Sequence, residues 1–190
     1  YREASDPPKI DPAFTTDTTS DRASNLIFET LVINSPDGKR ILPCLAESWT
    51  INKDSTVFTF KLRKGVKFHT TDYFKPSRDL SADDVIFTIE RMVNKDHPFN
   101  KAYPAQFPYA SDVGLQANTA SVTKTDDLTV VLKLRKPDPD LLVKLAMIFG
   151  LVGLAPGLLI YVVSYQFVSR SIESWFDVKV EGALGAGLNL

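Results

Sequence analysis

From Val57 to Leu62 the chain alternates, with Phe58, Phe60 and Leu62 on one face of an extended segment and Val57, Thr59 and Lys61 on the other. That period of two predicts a half-buried strand. Asn52-Lys53-Asp54-Ser55 reads as the turn before it, so Ser48–Asn52 is predicted to pair with Val57–Leu62. A second hairpin is predicted from Ala120–Thr123, through Asp126-Asp127, to Val130–Leu134. Val85, Ile89 and Met92 follow a helical period instead, behind Ser81-Ala82-Asp83-Asp84. Acidic groups suit the first turn of a helix, and Asp96-His97-Pro98 stops this one after about Val93. Asp138-Pro139 opens another helix through Leu141, Leu142 and Leu145. The Thr-rich run 15–21 offers caps for a helix from about Arg22 to Leu31, with Leu26, Ile27 and Leu31 on one face. Asn34–Gly38 is a turn, and Leu42–Trp49 a short helical turn leading into a strand. Helices and strands mix without a strict βαβ rhythm, so the predicted class is α/β in the mixed α+β sense.

The pattern changes abruptly near the end of the 190 residues. From Leu145 to Gln166 there is no charge. At ~1.5 Å per residue such a run spans a bilayer core of ~30 Å. Pro156 and Gly157 would harm a soluble helix but are tolerated in membrane helices, and Tyr161, Tyr165 and Trp175 stand where interfacial anchors would. The alternative, a buried core helix, lacks other apolar surfaces to wrap it. The expected organisation is therefore a mixed domain over 1–144, a hydrophobic transmembrane helix over 145–168 and a juxtamembrane tail over 169–190. The chain opens at Tyr1 with no basic or apolar leader and ends on Gly187-Leu188-Asn189-Leu190, so both ends are expected to be cuts in something longer.

Composition narrows the chemistry. A net charge of −1 makes no electrostatic case for nucleic acid. The single cysteine, Cys44, excludes an internal disulfide, and the two histidines, His69 and His97, are too far apart in sequence for a local metal motif. His97 beside Pro98 reads as a turn residue and His69 as the end of a strand. Asp83-Asp84 could pair for acid–base work, but neighbouring helical residues diverge by about 100°, and first-turn acids serve helix stability. Lys61, Arg63, Lys64 and Lys67 form a solvated basic strip. There is no phosphate-cradling glycine cluster and no nucleophile motif. No catalytic residue, metal or cofactor is expected, and the chain is not expected to be an enzyme.

Four stretches in order speak together: "DPPKIDPAFTTDTTSDRASNLIFETLV", "LPCLAESWTINKDSTVFTFKLRKGVKFH", "LSADDVIFTIERM" and "DDLTVVLKLRKPDPDLLVKLAM". Over residues 6–147 the chain resembles the bacterial extracellular solute-binding proteins of family 5, the peptide-binding components of ABC importers. "TTDYFKPSRD" and "KDHPFN" resemble the dipeptide- and antimicrobial-peptide-binding subgroup. The resemblance implies an incomplete N-terminal lobe of a two-lobed periplasmic-binding-protein fold that closes on an extended peptide, gripped through main-chain hydrogen bonds. It carries ligand contact over to Thr15, Thr16, Asp17 and Thr18, in the loop that lies at the ligand crevice. It carries it also to Tyr109, within "FPYAS". The acidic residue that receives the ligand's α-ammonium would belong to a later segment that is not in this chain. Implied partners are a peptide ligand and ABC permease subunits, in the periplasm.

"VSYQFVSRSIESWFDVKVEGALGAGLNL" is similar instead to membrane sensor histidine kinases of the nitrogen-regulation type, over roughly Ile148 to Leu190, without any of their signalling parts. The two resemblances place the span's N-terminal side on opposite faces of a membrane, and the basic residues before the span favour the kinase orientation. The expectation is a fusion near Met147–Leu151, with membrane association through 145–168. Two rivals follow: a membrane-anchored sensory input module of a two-component kinase, and an enzyme using Asp83 or His69.

Overall fold

The computed structural model describes residues 6–14, 16–104 and 106–148. Its centre is an antiparallel sheet built from two hairpins. Strands β3 (Ala46–Ile51) and β4 (Val57–Leu62) form one, β5 (Thr119–Asp126) and β6 (Thr129–Leu134) the other, in the order β3-β4-β6-β5. The alternation does what it predicts: Phe58, Phe60 and Leu62 are buried, with Phe58 opposite Leu132 and Phe60 opposite Val130 across the β4–β6 seam. Side chains directly opposite on one face are the unit that stabilises a sheet. The β3–β4 turn closes on Asn52, whose Oδ1 accepts from the N–H groups of Thr56 and Val57 at 2.8 and 2.9 Å. Ser55 takes a left-handed φ of 51° there, strain that this side-chain clamp offsets.

Helix α2 (Ala82–Val93) packs on β5 and β6 with Ala82, Val85, Ile89 and Met92 buried, as its spacing predicts. A smaller hairpin, β1 (Val32–Asn34) and β2 (Ile41–Pro43), turns through Gly38 at φ 68°. It packs against α6 (Leu141–Ile148), where Leu141 and Leu145 are buried. Three short helices, α3 (Pro98–Ala102), α4 (Pro108–Asp112) and α5 (Leu115–Asn118), connect α2 to β5.

Three expectations need correction. The first helix, α1, runs Thr18–Asn25 rather than Arg22–Leu31. Asp17 caps it early, and Leu26 and Ile27 already turn back to the carbonyls of Ala23 and Ser24. Leu26 is 89% exposed while Leu31 is fully buried on the approach to β1, so the apolar spacing lay outside the helix. The helical turn expected at Leu42–Trp49 is extended instead. The N–H groups of Leu45 and Ala46 bond to the carbonyls of Thr30 and Leu31, which commits that backbone to sheet-like pairing. His69 does not end a strand: β4 stops at Leu62 and His69 is exposed in irregular backbone.

The expected transmembrane helix over 145–168 lies, beyond Ile148, outside the described residues, as does the tail over 169–190. Its first residue, Leu145, belongs to the buried side of α6. Among the described residues no helix is long and apolar enough to cross a membrane.

Candidate functional site

Residues 11–14 and 16–20 are each tied down locally. Upstream, Asp11 Oδ1 accepts from Ala13 N–H at 3.0 Å and the Asp11 carbonyl accepts from Phe14 N–H at 3.0 Å, winding Pro12–Phe14 into a single 3-10 turn. Downstream, Asp17 caps α1 by accepting from Ser20 N–H at 2.8 Å. Helix α1 carries no large apolar residue, and its buried side chains are Ser20 and Ser24. They work through hydrogen bonds to the passing chain: Lys9 N–H donates to Ser20 Oγ at 3.3 Å, and Ser24 Oγ donates to the Ile10 carbonyl at 2.9 Å. The segment 9–14 is thereby strapped across α1.

Helix α4 joins this arrangement through aromatic packing. Phe107, buried at its N-terminus, stacks on Phe14 with ring centroids 4.9 Å apart and planes 19° from parallel. Offset stacking of this kind adds about 0.5–1.5 kcal/mol beyond area burial. Pro108 follows in the first helical position, where a missing N–H costs nothing. Tyr109 comes next, half-buried. Burial pushes its hydroxyl pKa up, and the negative charge of Asp21 on α1 adds to the rise. At neutral pH that hydroxyl is a proton-bearing donor.

Of the five residues implied as ligand contacts, Thr15 lies outside the described residues. Thr16 and Thr18 are exposed, Asp17 is partly so, and Tyr109 stands close enough for α1's charge to reach it. The structure thus brings two segments nearly a hundred positions apart in sequence to one region. What they present is hydroxyl groups and one carboxylate, suited to hydrogen bonding. Asp17 titrates below its ordinary 3.8, chiefly because its carboxylate accepts from the Ser20 backbone N–H. A depressed carboxylate stabilises the fold above its unfolded pKa and loses that contribution as pH falls through the folded value. The cap should therefore be intact above about pH 4 and fail below 3.8. An NMR titration of the Ser20 amide should give a midpoint under 3.8, and a midpoint at or above it would contradict the cap.

The other singled-out residues are occupied elsewhere. Asp83 pairs with Lys124 at 2.7 Å, whereas Asp84 points back to Arg78 and the Ser81 N–H. They diverge, as the helical geometry predicts. His97 caps α3, its Nδ1 accepting from Phe99 N–H at 3.2 Å, and it meets Phe87 edge-on. Among the described residues no cluster of His, Cys, Asp and Glu could hold a metal ion. An open cavity of about 290 Å³ lies between Lys67–Thr70 and Pro76–Asp79, and none of the implied contact residues lines it.

Sequence reasoning missed the residues that hold this region together: Asp11, Phe14, Arg91 and Phe107. Arg91, on α2, reaches Asp11 through a two-pronged ion pair, Nη1 to Oδ2 at 2.7 Å and Nη2 to Oδ1 at 2.9 Å, across 80 positions of sequence. No local spacing could have signalled it.

The family described as "Bacterial extracellular solute-binding proteins, family 5 Middle" matches residues 40–167. That match runs past the seam expected at Met147–Leu151, so the fusion to an unrelated membrane segment finds no support. The chain is 51% identical over 144 residues to "Di/tripeptide-binding protein 1" of Pseudomonas aeruginosa, covering 75% of this chain and 27% of that protein. It is 39% identical over 150 residues to "Heme-binding protein A" of Haemophilus influenzae, covering 78% and 27%. Among solved structures, the ABC transporter-associated periplasmic binding protein DppA from Helicobacter pylori, in complex with peptide STSA, superposes with a TM-score of 0.74 at 34% identity. That superposition covers 85% of this chain and 31% of the other. The chain thus spans about a quarter of the length of the curated relatives it matches.

Proposed function

Because this chain belongs to the bacterial extracellular solute-binding proteins of family 5, we propose that it forms part of the ligand-holding lobe of a peptide-binding component of an ABC importer. Its role in that reading is to bind a di- or tripeptide and present it to permease subunits in the periplasm, without catalysis. The observation that carries the proposal is the Phe14–Phe107 stack, which joins the chain just before Thr16–Thr18 to the start of the helix that carries Tyr109. Exposed hydroxyls and a protonated phenol can satisfy the carbonyl and amide groups of an extended peptide while ignoring its side chains. The 51% identity to a protein named for di- and tripeptides supports that ligand class. A heme-binding protein at 39% shares the same segment, so the choice of ligand rests largely on residues beyond it. The sensory-module alternative would use this same domain as its sensory part, and its distinguishing resemblance lies over roughly 148–190, a stretch into which the solute-binding family match extends as far as residue 167.

One lobe segment offers only part of a peptide's contacts, so the isolated chain should bind weakly, with Kd on the order of 1 mM or above (about −4 kcal/mol or less favourable). Titrating a dipeptide such as Ala-Ala into isotope-labelled chain should shift the amides of Thr16, Asp17 and Thr18 and the ring of Tyr109. Shifts confined to the Lys67–Asp79 cavity, or micromolar affinity by calorimetry, would overturn the reading.

A further inference from the structure

Arg91 is a costly way to hold two elements together. Its side chain is only 9% exposed, both terminal nitrogens are committed to Asp11, and its Nε–H is buried without a partner. The guanidinium carbon lies 5.3 Å from the Phe99 ring centroid and 6.0 Å from that of Phe14, so aromatic rings flank it. Replacing such a buried pair by apolar side chains is often neutral or stabilising, which makes stability alone a poor account of it; fixing register is the better-attested use. Here the register in question is that of the Pro12–Phe14 turn. The residue before that turn holds the arginine, and Phe14 itself touches both Arg91 and Phe107.

We infer that Arg91 is a positioning residue: it fixes the Pro12–Phe14 turn on α2, and through the Phe14–Phe107 stack it sets Thr16–Thr18 and Tyr109 to face one ligand. The inference rests on the reading that these two segments contact ligand. The fork geometry matters as well as the charge, since a lysine presents a point charge and cannot make two parallel bonds to one carboxylate. Asp11 is 28% exposed and can rehydrate when the arginine is lost. Local register should therefore fail before the sheet does.

The test is amide hydrogen exchange on the 190-residue chain in wild type, Arg91→Met, Arg91→Lys and Asp11→Asn. Arg91→Met should exchange about tenfold faster at Ser20 and Asp21, in the first turn of α1, and at Val113, which closes α4. The amides of Phe58, Phe60 and Leu132 should keep their protection, and Arg91→Lys should fall between. A tyrosine-ring titration should show Tyr109 returning toward its ordinary pKa of 10.0 in Arg91→Met, as α4 parts from the Pro12–Phe14 turn and the ring loses its burial. Uniform acceleration across sheet and loop in both Arg91→Met and Asp11→Asn would make the pair merely structural and overturn the proposal, as would no change at α1 and α4. Asp11→Asn, which weakens the pair from its part-exposed side, decides the matter if Arg91→Met unfolds the sheet. No peptide is added, so failure here strikes the positioning role alone; missing peptide shifts at Thr16–Thr18 in wild type strike the binding reading.

Discussion

Phe60→Ala should destabilise the fold by about 3–5 kcal/mol, the range for emptying a buried aromatic site. Phe60 is fully buried in β4, a central strand, with Val130 opposite it on one side and Trp49 on the other. Both flanking strands lean on the ring, and helix α2 packs on β6 next door, so the hole cannot collapse without pulling a strand out of register. Against a whole-domain stability of only about 5–15 kcal/mol, that loss approaches unfolding. Lys61→Ala, one residue along on the exposed face, should stay within about 0.5 kcal/mol. Urea titrations followed by circular dichroism separate the two. Equal midpoints for the variants would mean that the β4 alternation does not mark the core.

That contrast shows where the fold is legible. The face assignment of β4 rests on side-chain geometry within one strand, and a period of two carries it without help from the rest of the chain. Helix α2 is legible for a similar reason, since its acidic first turn and apolar spacing lie within its own twelve residues. Helix α1 is not. It contains no apolar residue but one alanine, so no period exists to find; its start is written in the Asp17 cap and its packing in hydroxyl bonds to residues 9 and 10. Strands β1 and β2 are three residues each, too short for alternation to speak. The candidate site is legible only through family resemblance. Thr16–Thr18 and Tyr109 have no pattern of their own, and the Arg91–Asp11 pair and the Phe14–Phe107 stack beside them are long-range contacts between unremarkable positions.

The adjacent acids Asp83 and Asp84 put the division between chemistry and architecture to a second test. Asp84→Ala should cost about 2–3 kcal/mol, and Asp83→Ala no more than about 1 kcal/mol. Asp84 is 7% exposed and accepts four bonds: from Ser81 N–H at 2.8 Å and Ser81 Oγ at 3.3 Å, and from Arg78 Nη1 and Nη2 at 2.6 and 2.8 Å. Its removal takes away the N3 half of the α2 capping box, worth about 1 kcal/mol, together with charge-assisted bonds worth about 1.5–3 kcal/mol. The sum is trimmed because Arg78, with its side chain 52% exposed, returns to water. Asp83 pairs with Lys124 at the surface, where ions stay hydrated and salt screens them. Arg78→Ala should fall between the two, because Asp84 keeps its bond to the helix start when the arginine goes. Since α2 is also the platform for Arg91, unfolding its first turn should loosen the helix from Asp84 toward Thr88 while Arg91, near the far end, keeps its grip on Asp11. Hydrogen exchange along α2 in Asp84→Ala should show a gradient, fastest at Val85 and slowest at Arg91. Uniform exchange along the helix would mean that the cap does not act locally.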